Sequence, residues 1–228
     1  MTLVVAHRTC PRDARENSLE GIAAAARLGA DVVEVDARRA RDGSAVLLHD
    51  PWLARVQHVP LPLRWTPVEL LARLRVPTLR EALNTARANG LKVAIDTKDP
   101  KAADAVLAAI ADTGSEENVL LWSQHMPVVR SFVRGVPAAE AAVLRDTFTD
   151  EEHDRLLADA AAIGARAVSA HHDAVTPEFI AAARDRGLGV YCWYQRRDLH
   201  GRLAVDAASG LAGVVTDWPS DARRVLSA

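Results

Sequence analysis

The chain has 228 residues, 49% of them hydrophobic, with 28 basic and 30 acidic side chains and a net charge of −2. Mixed, nearly balanced charge argues against nucleic-acid binding driven by phosphate neutralisation, and no stretch approaches the ~18 apolar residues of a membrane-spanning helix. Cys10 and Cys192 fit neither a disulfide framework nor a zinc pattern. They read as free thiols in a reducing compartment. The N-terminal apolar run is too short for a signal peptide, so a cytoplasmic protein without membrane insertion is the expectation.

Leu3 to Arg8 reads as a short apolar strand ending in His7-Arg8. Asn17 or Ser18 then caps a helix whose Leu19, Ile22, Ala23 and Ala26 recur at helical spacing, and Gly29 closes it. Asp31 to Asp50 is the most informative stretch. Val32, Val33 and Val35 make it a strand, yet Glu34 and Asp36 stand two apart and so share one face. Like charges on a partly buried face are costly unless a cation or donors hold them. Asp42-Gly43 is a strong hairpin signal. If those two residues form the turn, Arg41 pairs with Ser44 and Asp36 lies opposite His49. The stretch then brings Glu34, Asp36 and His49 together. It equally fits an ordinary hairpin with a solvated acidic face.

Residues 51 to 76 are irregular and proline-rich, with a capping box at Thr66-Pro67-Val68-Glu69 that predicts a short helix. From Thr78 the chain alternates regularly. Thr78 and Glu81 box a helix ended by Gly90, and Lys92 to Lys98 is a strand. Further strands are expected at Asn118–Ser123, Ala141–Arg145, Ala165–Ala170, Leu188–Tyr194 and Gly213–Asp217, with helices between them. Thr149–Glu152 is another capping box, Thr176-Pro177 opens a helix, and residues 198 to 208 read as one helix. Eight strand–helix units predict a single (β/α)8 TIM barrel over residues 1 to 228, with a hairpin extension after the second strand. The rival, a doubly wound open sheet, lacks a glycine-rich first turn.

Barrel active sites lie at the C-terminal ends of the strands. Those ends carry His7-Arg8, Glu34 and Asp36 with His49 folded back, Asp96 and Lys98, Ser123, His171, Trp193 and Thr216-Asp217. Carboxylates suit a hard divalent cation, Arg and Lys suit a phosphate, and histidines suit proton transfer near neutral pH. Together they describe metal-assisted phosphoester chemistry. Trp193 reads either as barrel core or as a wall for substrate. His125, His171 and His172 read as surface or supporting residues, and His58, His153 and His200 as surface.

The ordered set His7-Arg8, Glu16-Asn17, Gly29-Ala30-Asp31, Glu34-Val35-Asp36, Asp42-Gly43, His49-Asp50, Pro77-Thr78-Leu79-Arg80-Glu81, Asp96-Thr97-Lys98 and Thr216-Asp217-Trp218-Pro219 resembles the glycerophosphodiester phosphodiesterases. The resemblance implies a TIM barrel that cleaves a small-molecule glycerophosphodiester to glycerol 3-phosphate and an alcohol, using one divalent ion: Mg²⁺ or Ca²⁺, with Mn²⁺ as a third option. By position Glu34, Asp36 and Asp96 would hold the metal, His7 and His49 would be the acid–base pair, and Arg8 and Lys98 would hold the phosphate; Trp193, from its strand end alone, is a candidate substrate-binding residue. Three positions depart from the family pattern: Thr9 replaces a glycine, Asp96 replaces a glutamate, and residues 51 to 76 are shorter than the usual insertion. Two rivals are a phospholipase D-like activity on lysophospholipids and a barrel that binds a phosphodiester or sugar phosphate without turnover.

Overall fold

A computed structural model describes residues 1–147 and 149–228. Among the described residues nine strands are present: β1 (Leu3–Ala6), β2 (Val32–Arg39), β3 (Ala45–Leu47), β4 (Lys92–Thr97), β5 (Val119–Ser123), β6 (Glu140–Leu144), β7 (Ala167–His171), β8 (Gly189–Trp193) and β9 (Gly213–Thr216). Eight of them pair in parallel in the order β1-β9-β8-β7-β6-β5-β4-β2, and a β1–β2 pairing closes the ring. This is the expected TIM barrel. β3 pairs antiparallel with the end of β2, which is the expected hairpin extension. No helix among the described residues is long and apolar enough to cross a membrane.

Strand pleating assigns each side chain to one of two layers. The outward-facing residues of the strands, such as Val4, Val33, Val35 and Ile95, pack with helix residues such as Ile22, Leu79 and Phe132 in the large outer core. The inward-facing residues form a separate inner cluster that includes Val5, Val32, Ala94, Leu120, Trp122 and Tyr191. Trp122 and Tyr191 stack at 5.0 Å between ring centroids and fill the barrel's middle. Gly213 faces the same space. A Cβ there would lie 2.7 Å from the Tyr191 ring, so the aromatic plug requires glycine at that position.

Three local expectations need correction. The hairpin turn holds three residues, not two: Ala40 N–H donates to Ser44 O at 2.8 Å, and Gly43 N–H donates to Ala40 O at 3.1 Å. Gly43 takes φ +95°, the left-handed position of a three-residue loop, and Asp42 Oδ1 accepts from the Ser44 N–H and hydroxyl. The register moves by one residue, and Leu48, not His49, lies opposite Asp36, with Leu48 N–H donating to Asp36 O at 2.9 Å. The helix after the proline-rich stretch (Val68–Arg73) forms, but Thr66 does not cap it; its hydroxyl donates to Pro62 O at 2.9 Å and closes the preceding turn instead. Residues 198 to 208 fall into two short helices, Arg196–Gly201 and Leu203–Ala208. They break at Arg202, which leaves helical geometry after Gly201 and donates to Val175 O. The capping boxes at Thr78–Glu81 and Thr149–Glu152 form as expected, and Ser18, not Asn17, caps the first helix.

Candidate active site

The inward face of each strand, continued two residues past the apolar plug, reaches the barrel mouth. There β1 presents His7, β2 presents Glu34 and Asp36, and β4 presents Asp96 followed by Lys98. A cavity of about 430 Å³ opens at this end, lined by His7, Arg8, Glu34, Asp96 and Lys98 on one side. Gln124, Arg145, Asp146, His171 and Trp193 line the other. Asp36 and Asp96 are direct neighbours in the parallel β2–β4 register, and Glu34 lies one inward step deeper.

Glu34, Asp36 and Asp96 are all buried, at 4%, 0% and 4% exposure, and each offers an oxygen within 4.8 Å of the others. Burial of this kind is tolerated only with partners, and those partners are specific. Arg8 N–H donates to Glu34 Oε2 at 2.6 Å. Asn17 Nδ2 donates to Asp36 Oδ2 at 2.7 Å, while Asn17 Oδ1 accepts from Asp36 N–H at 2.9 Å. Lys98 Nζ lies 3.1 Å from Asp36 Oδ1 and 2.5 Å from Asp96 Oδ2, and Arg8 Nε lies 3.4 Å from Asp36 Oδ2. Lys98 is therefore no solvated surface pair for Asp96.

The positive charge present does not satisfy all three acids. Asp36 is held below the usual carboxylate range: burial opposes its charge, but Lys98, Arg8 and Asn17 outweigh that cost. Burial and the adjacent Asp36 push Glu34 up, and burial pushes Asp96 up despite Lys98. Asp36 Oδ1 is buried and makes no hydrogen bond. Three convergent carboxylates short of positive charge, one with an unbonded oxygen, match the all-oxygen donor set of a hard divalent cation. The residues fit such an ion.

The two histidines are built alike but placed differently. His7 Nδ1 bonds Asp217 Oδ1 at 2.7 Å, which orients its ring. Burial works against the imidazolium, but the Asp217 hydrogen bond and the nearby Glu34 prevail and raise its pKa above the ordinary value. His49 Nδ1 bonds Asp50 Oδ1 at 2.7 Å. Asp50 in turn takes Arg55 Nε at 2.5 Å, and Arg55 clasps both Glu16 oxygens at 2.7 and 2.6 Å. His49 reaches the site from the loop after β3, not by cross-strand pairing; Arg38 Nε holds its carbonyl at 2.7 Å.

The first loop explains the Thr9 departure. Arg8, Thr9 and Cys10 adopt φ of 42°, 61° and 61°, three successive left-handed residues of which none is glycine. A β-branched residue there is strained. Thr9 is held because its Oγ1 accepts from Ser18 N–H at 3.0 Å and because Gly21 packs directly on it; a Cβ on Gly21 would come within 2.1 Å of Thr9 O. The turn aims Arg8 N–H at Glu34.

Trp193 does line the cavity, with its ring 6.1 Å from that of His7. Ser123 does not: it is buried, donates to Thr97 O and accepts from His125 N–H. His171, expected at the surface or as a supporting residue, lines the cavity, and His172 is buried at 4% exposure. His153 is half-buried against Phe179 and is no plain surface residue. Sequence reasoning assigned no site role to Asp217, Asp50, Gln124, Arg145 or Asp146, and read Asn17 only as a candidate helix cap. Asp217 had a usable signal, since it continues the inward face of β9 two residues past Val215. Asn17 had none, because its side chain meets Asp36 only after the first helix packs.

The chain matches the profile of the glycerophosphoryl diester phosphodiesterase family over residues 7–221. A glycerophosphodiester phosphodiesterase of Caldanaerobacter subterraneus is 24% identical, over 96% of this chain and 95% of its own. Glycerophosphodiester phosphodiesterase 1 of Rattus norvegicus is 33% identical over 41% of this chain and 33% of its own. Two solved structures share the fold. An Oleispira antarctica phosphodiesterase in complex with sn-glycerol-3-phosphate has a TM-score of 0.84 at 19% identity, over 100% of this chain and 98% of its own. A Thermotoga maritima glycerophosphodiester phosphodiesterase has a TM-score of 0.80 at 21% identity, over 96% of each chain. With a profile match that begins at His7 and spans the barrel, this chain belongs to the glycerophosphoryl diester phosphodiesterase family.

Proposed function

We propose that the protein hydrolyses glycerophosphodiesters to glycerol 3-phosphate and an alcohol, with a divalent cation held by Glu34, Asp36 and Asp96. The observation that carries this reading is a cavity wall lined by Glu34, Asp96, two cationic side chains and an aspartate-oriented histidine, with the fully buried Asp36 beside the two carboxylates. The relative in Oleispira antarctica, with its glycerol phosphate product bound, supports the product assigned. The ion, Mg²⁺, Ca²⁺ or Mn²⁺, would supply Lewis-acid polarisation of the phosphoryl group.

His7 and His49 form the acid–base pair. One takes a proton from the attacking hydroxyl, and the other gives one to the leaving alcohol oxygen. Asp217 and Asp50 fix the ring orientation of each. Arg8 and Lys98 stabilise charge that grows on the phosphoryl oxygens. Trp193 packs against the substrate. The attacking group is the glycerol 2-hydroxyl of the substrate itself. Its attachment beside the phosphoester removes much of the entropy of bringing reactants together, up to about 7–11 kcal/mol in favourable cases. A 1,2-cyclic glycerol phosphate then forms and is opened by water. The 228 residues act as one phosphodiesterase domain. A cytoplasmic setting belongs to the same proposal, in keeping with two buried, unpaired cysteines.

A second reading, cleavage of lysophospholipids, draws on Trp52 and Trp65. These are exposed at 48% and 60% in the segment that follows His49-Asp50. Turnover of glycerophosphocholine against lysophosphatidylcholine, with and without added Mg²⁺ or Ca²⁺, separates the readings. The first expects the water-soluble diester to be cleaved faster. No cleavage of either, with binding retained, would leave only a binding barrel. Phosphorus NMR during turnover looks for the cyclic species. Rapid cleavage of an analogue lacking the 2-hydroxyl would replace the internal attack by direct attack of water.

A further inference from the structure

We propose that His171, His172, Asp173 and Asp198 form a second metal site, for a borderline divalent cation of the Zn²⁺ class, across the barrel mouth from the three carboxylates. The cluster grows from the end of β7. That strand lies four places from β2 in either direction around the closed ring, so the two groups face each other. His171 is the last residue of β7, and the chain turns at once, bringing His172 and Asp173 back beside it. Asp198 comes from the helix Arg196–Gly201 that follows β8.

Distances distinguish this cluster from the catalytic pairs. His7 and His49 each meet a carboxylate at 2.7 Å, the length of a charge-assisted hydrogen bond. In the second cluster His171 Nδ1 lies 3.4 Å from Asp173 Oδ2, and His172 Nε2 lies 3.2 Å from Asp173 Oδ1 and 3.3 Å from Asp198 Oδ2. These are long for hydrogen bonds. They are near the roughly 3.3 Å by which two ligands, each about 2.0–2.1 Å from one ion, stand apart, taken as pairwise spacings to either Asp173 oxygen. One ligand atom from each of His171, His172 and Asp173 lies within 4.8 Å of the others.

An independent observation points the same way. Asp198 Oδ2 is buried and makes no hydrogen bond, yet it faces His172 Nε2. A buried carboxylate oxygen without a hydrogen bond is costly unless a cation or donor reaches it. His172 is itself buried, at 4% exposure, so its ring is held in place beside the two carboxylates. Asp173 is 68% exposed and gives an ion a way in. The donor set also sorts the metals: imidazole nitrogen suits Zn²⁺, whereas the all-oxygen group across the mouth suits Mg²⁺, Ca²⁺ or Mn²⁺. Because His171 lines the shared cavity, a filled site puts positive charge on the wall facing Glu34 and Asp96. The inference does not depend on the reaction proposed above.

The probe is Zn²⁺ alone, read by equilibrium dialysis with metal analysis, and Co²⁺ read by its visible absorption. In an Asp36→Asn/Asp96→Asn background, which weakens the carboxylate site, one Zn²⁺ per chain is expected. His171→Ala and Asp173→Asn should each then weaken it by about tenfold or more. If that background does not melt cooperatively, the wild type is titrated instead: two Zn²⁺ per chain should fall to one in the His171→Ala/Asp173→Asn variant. No binding at submillimolar Zn²⁺, or binding indifferent to His171 and Asp173, overturns the proposal.

Discussion

The two walls of the barrel mouth carry similar side chains under different constraint. On β1, β2 and β4 every functional group is tied down: His7 to Asp217, Glu34 to the Arg8 backbone, Asp36 to Asn17 and Asp96 to Lys98. On β7 and β8 the groups are looser, with the histidine–aspartate distances all beyond 3 Å; buried atoms without a hydrogen bond occur on both walls, Asp36 Oδ1 and Arg8 Nε on the first, the Trp193 indole N–H and Asp198 Oδ2 on the second. A phosphoryl group must be held to within fractions of an ångström for chemistry, and only the first wall is built to that tolerance. The second wall suits a leaving group or an ion, whose arrival completes the bonding.

Asp36 is the most connected group on the tight wall, so removing it should have the largest effect. Asp36→Ala is expected to lower kcat by about three orders of magnitude or more, matching exhaustive chelation of the wild type, because Lys98 and Arg8 lose their anchor together with the ion. Activity after chelation should return with Mg²⁺, Ca²⁺ or Mn²⁺, and full activity in the chelated enzyme would contradict the metal role. His7→Ala should follow, with a loss of about 10²–10⁴ in kcat and an unchanged melting transition. Deeper in the same barrel the comparison inverts. Leu120 faces the inner plug, and Leu120→Ala should cost about 2–5 kcal/mol in chemical denaturation while kcat in the folded enzyme stays near wild type.

Asp217→Asn tests the orienting hydrogen bond. Asp217 raises the His7 pKa, so its loss lowers that pKa, and the limb of the kcat/KM profile that reports His7 should move toward lower pH. An unmoved profile would mean that another group titrates. The smallest effect is expected at Asp96→Glu. The longer side chain restores the family's ligand length, so activity should persist while the preference among divalent ions shifts. Asp96→Ala should weaken ion binding strongly, and unchanged affinity would remove Asp96 from the ligand set.

Much of this molecule follows from local pattern. Alternating strand and helix signals name the eight-stranded barrel because a parallel strand needs a crossover, and helices are the crossover the chain supplies. Period two alone puts Glu34 with Asp36, and Asp96 with Lys98, because a strand cannot turn neighbouring side chains to one face. Capping boxes at Thr78 and Thr149 are read directly, since all their partners lie within one turn. Thr66 shows the limit: its box has the right letters, but its hydroxyl turns back to donate to Pro62 O, and the helix starts one residue later, after Pro67.

What only the tertiary structure decided is every contact between residues far apart in the chain. His7 meets Asp217 across 210 positions because β1 closes the barrel against β9. Asn17 meets Asp36 because the first helix packs beside β2. His49 reaches the buried carboxylates through a loop, since one extra residue in the turn denied it the cross-strand place opposite Asp36. His171 and His172 looked peripheral until the ring closed and set β7 opposite β2. Pleat and capping are short-range steric facts and so are written in adjacent letters; the partner of a buried charge is chosen by closure of the sheet, which no local window of sequence contains.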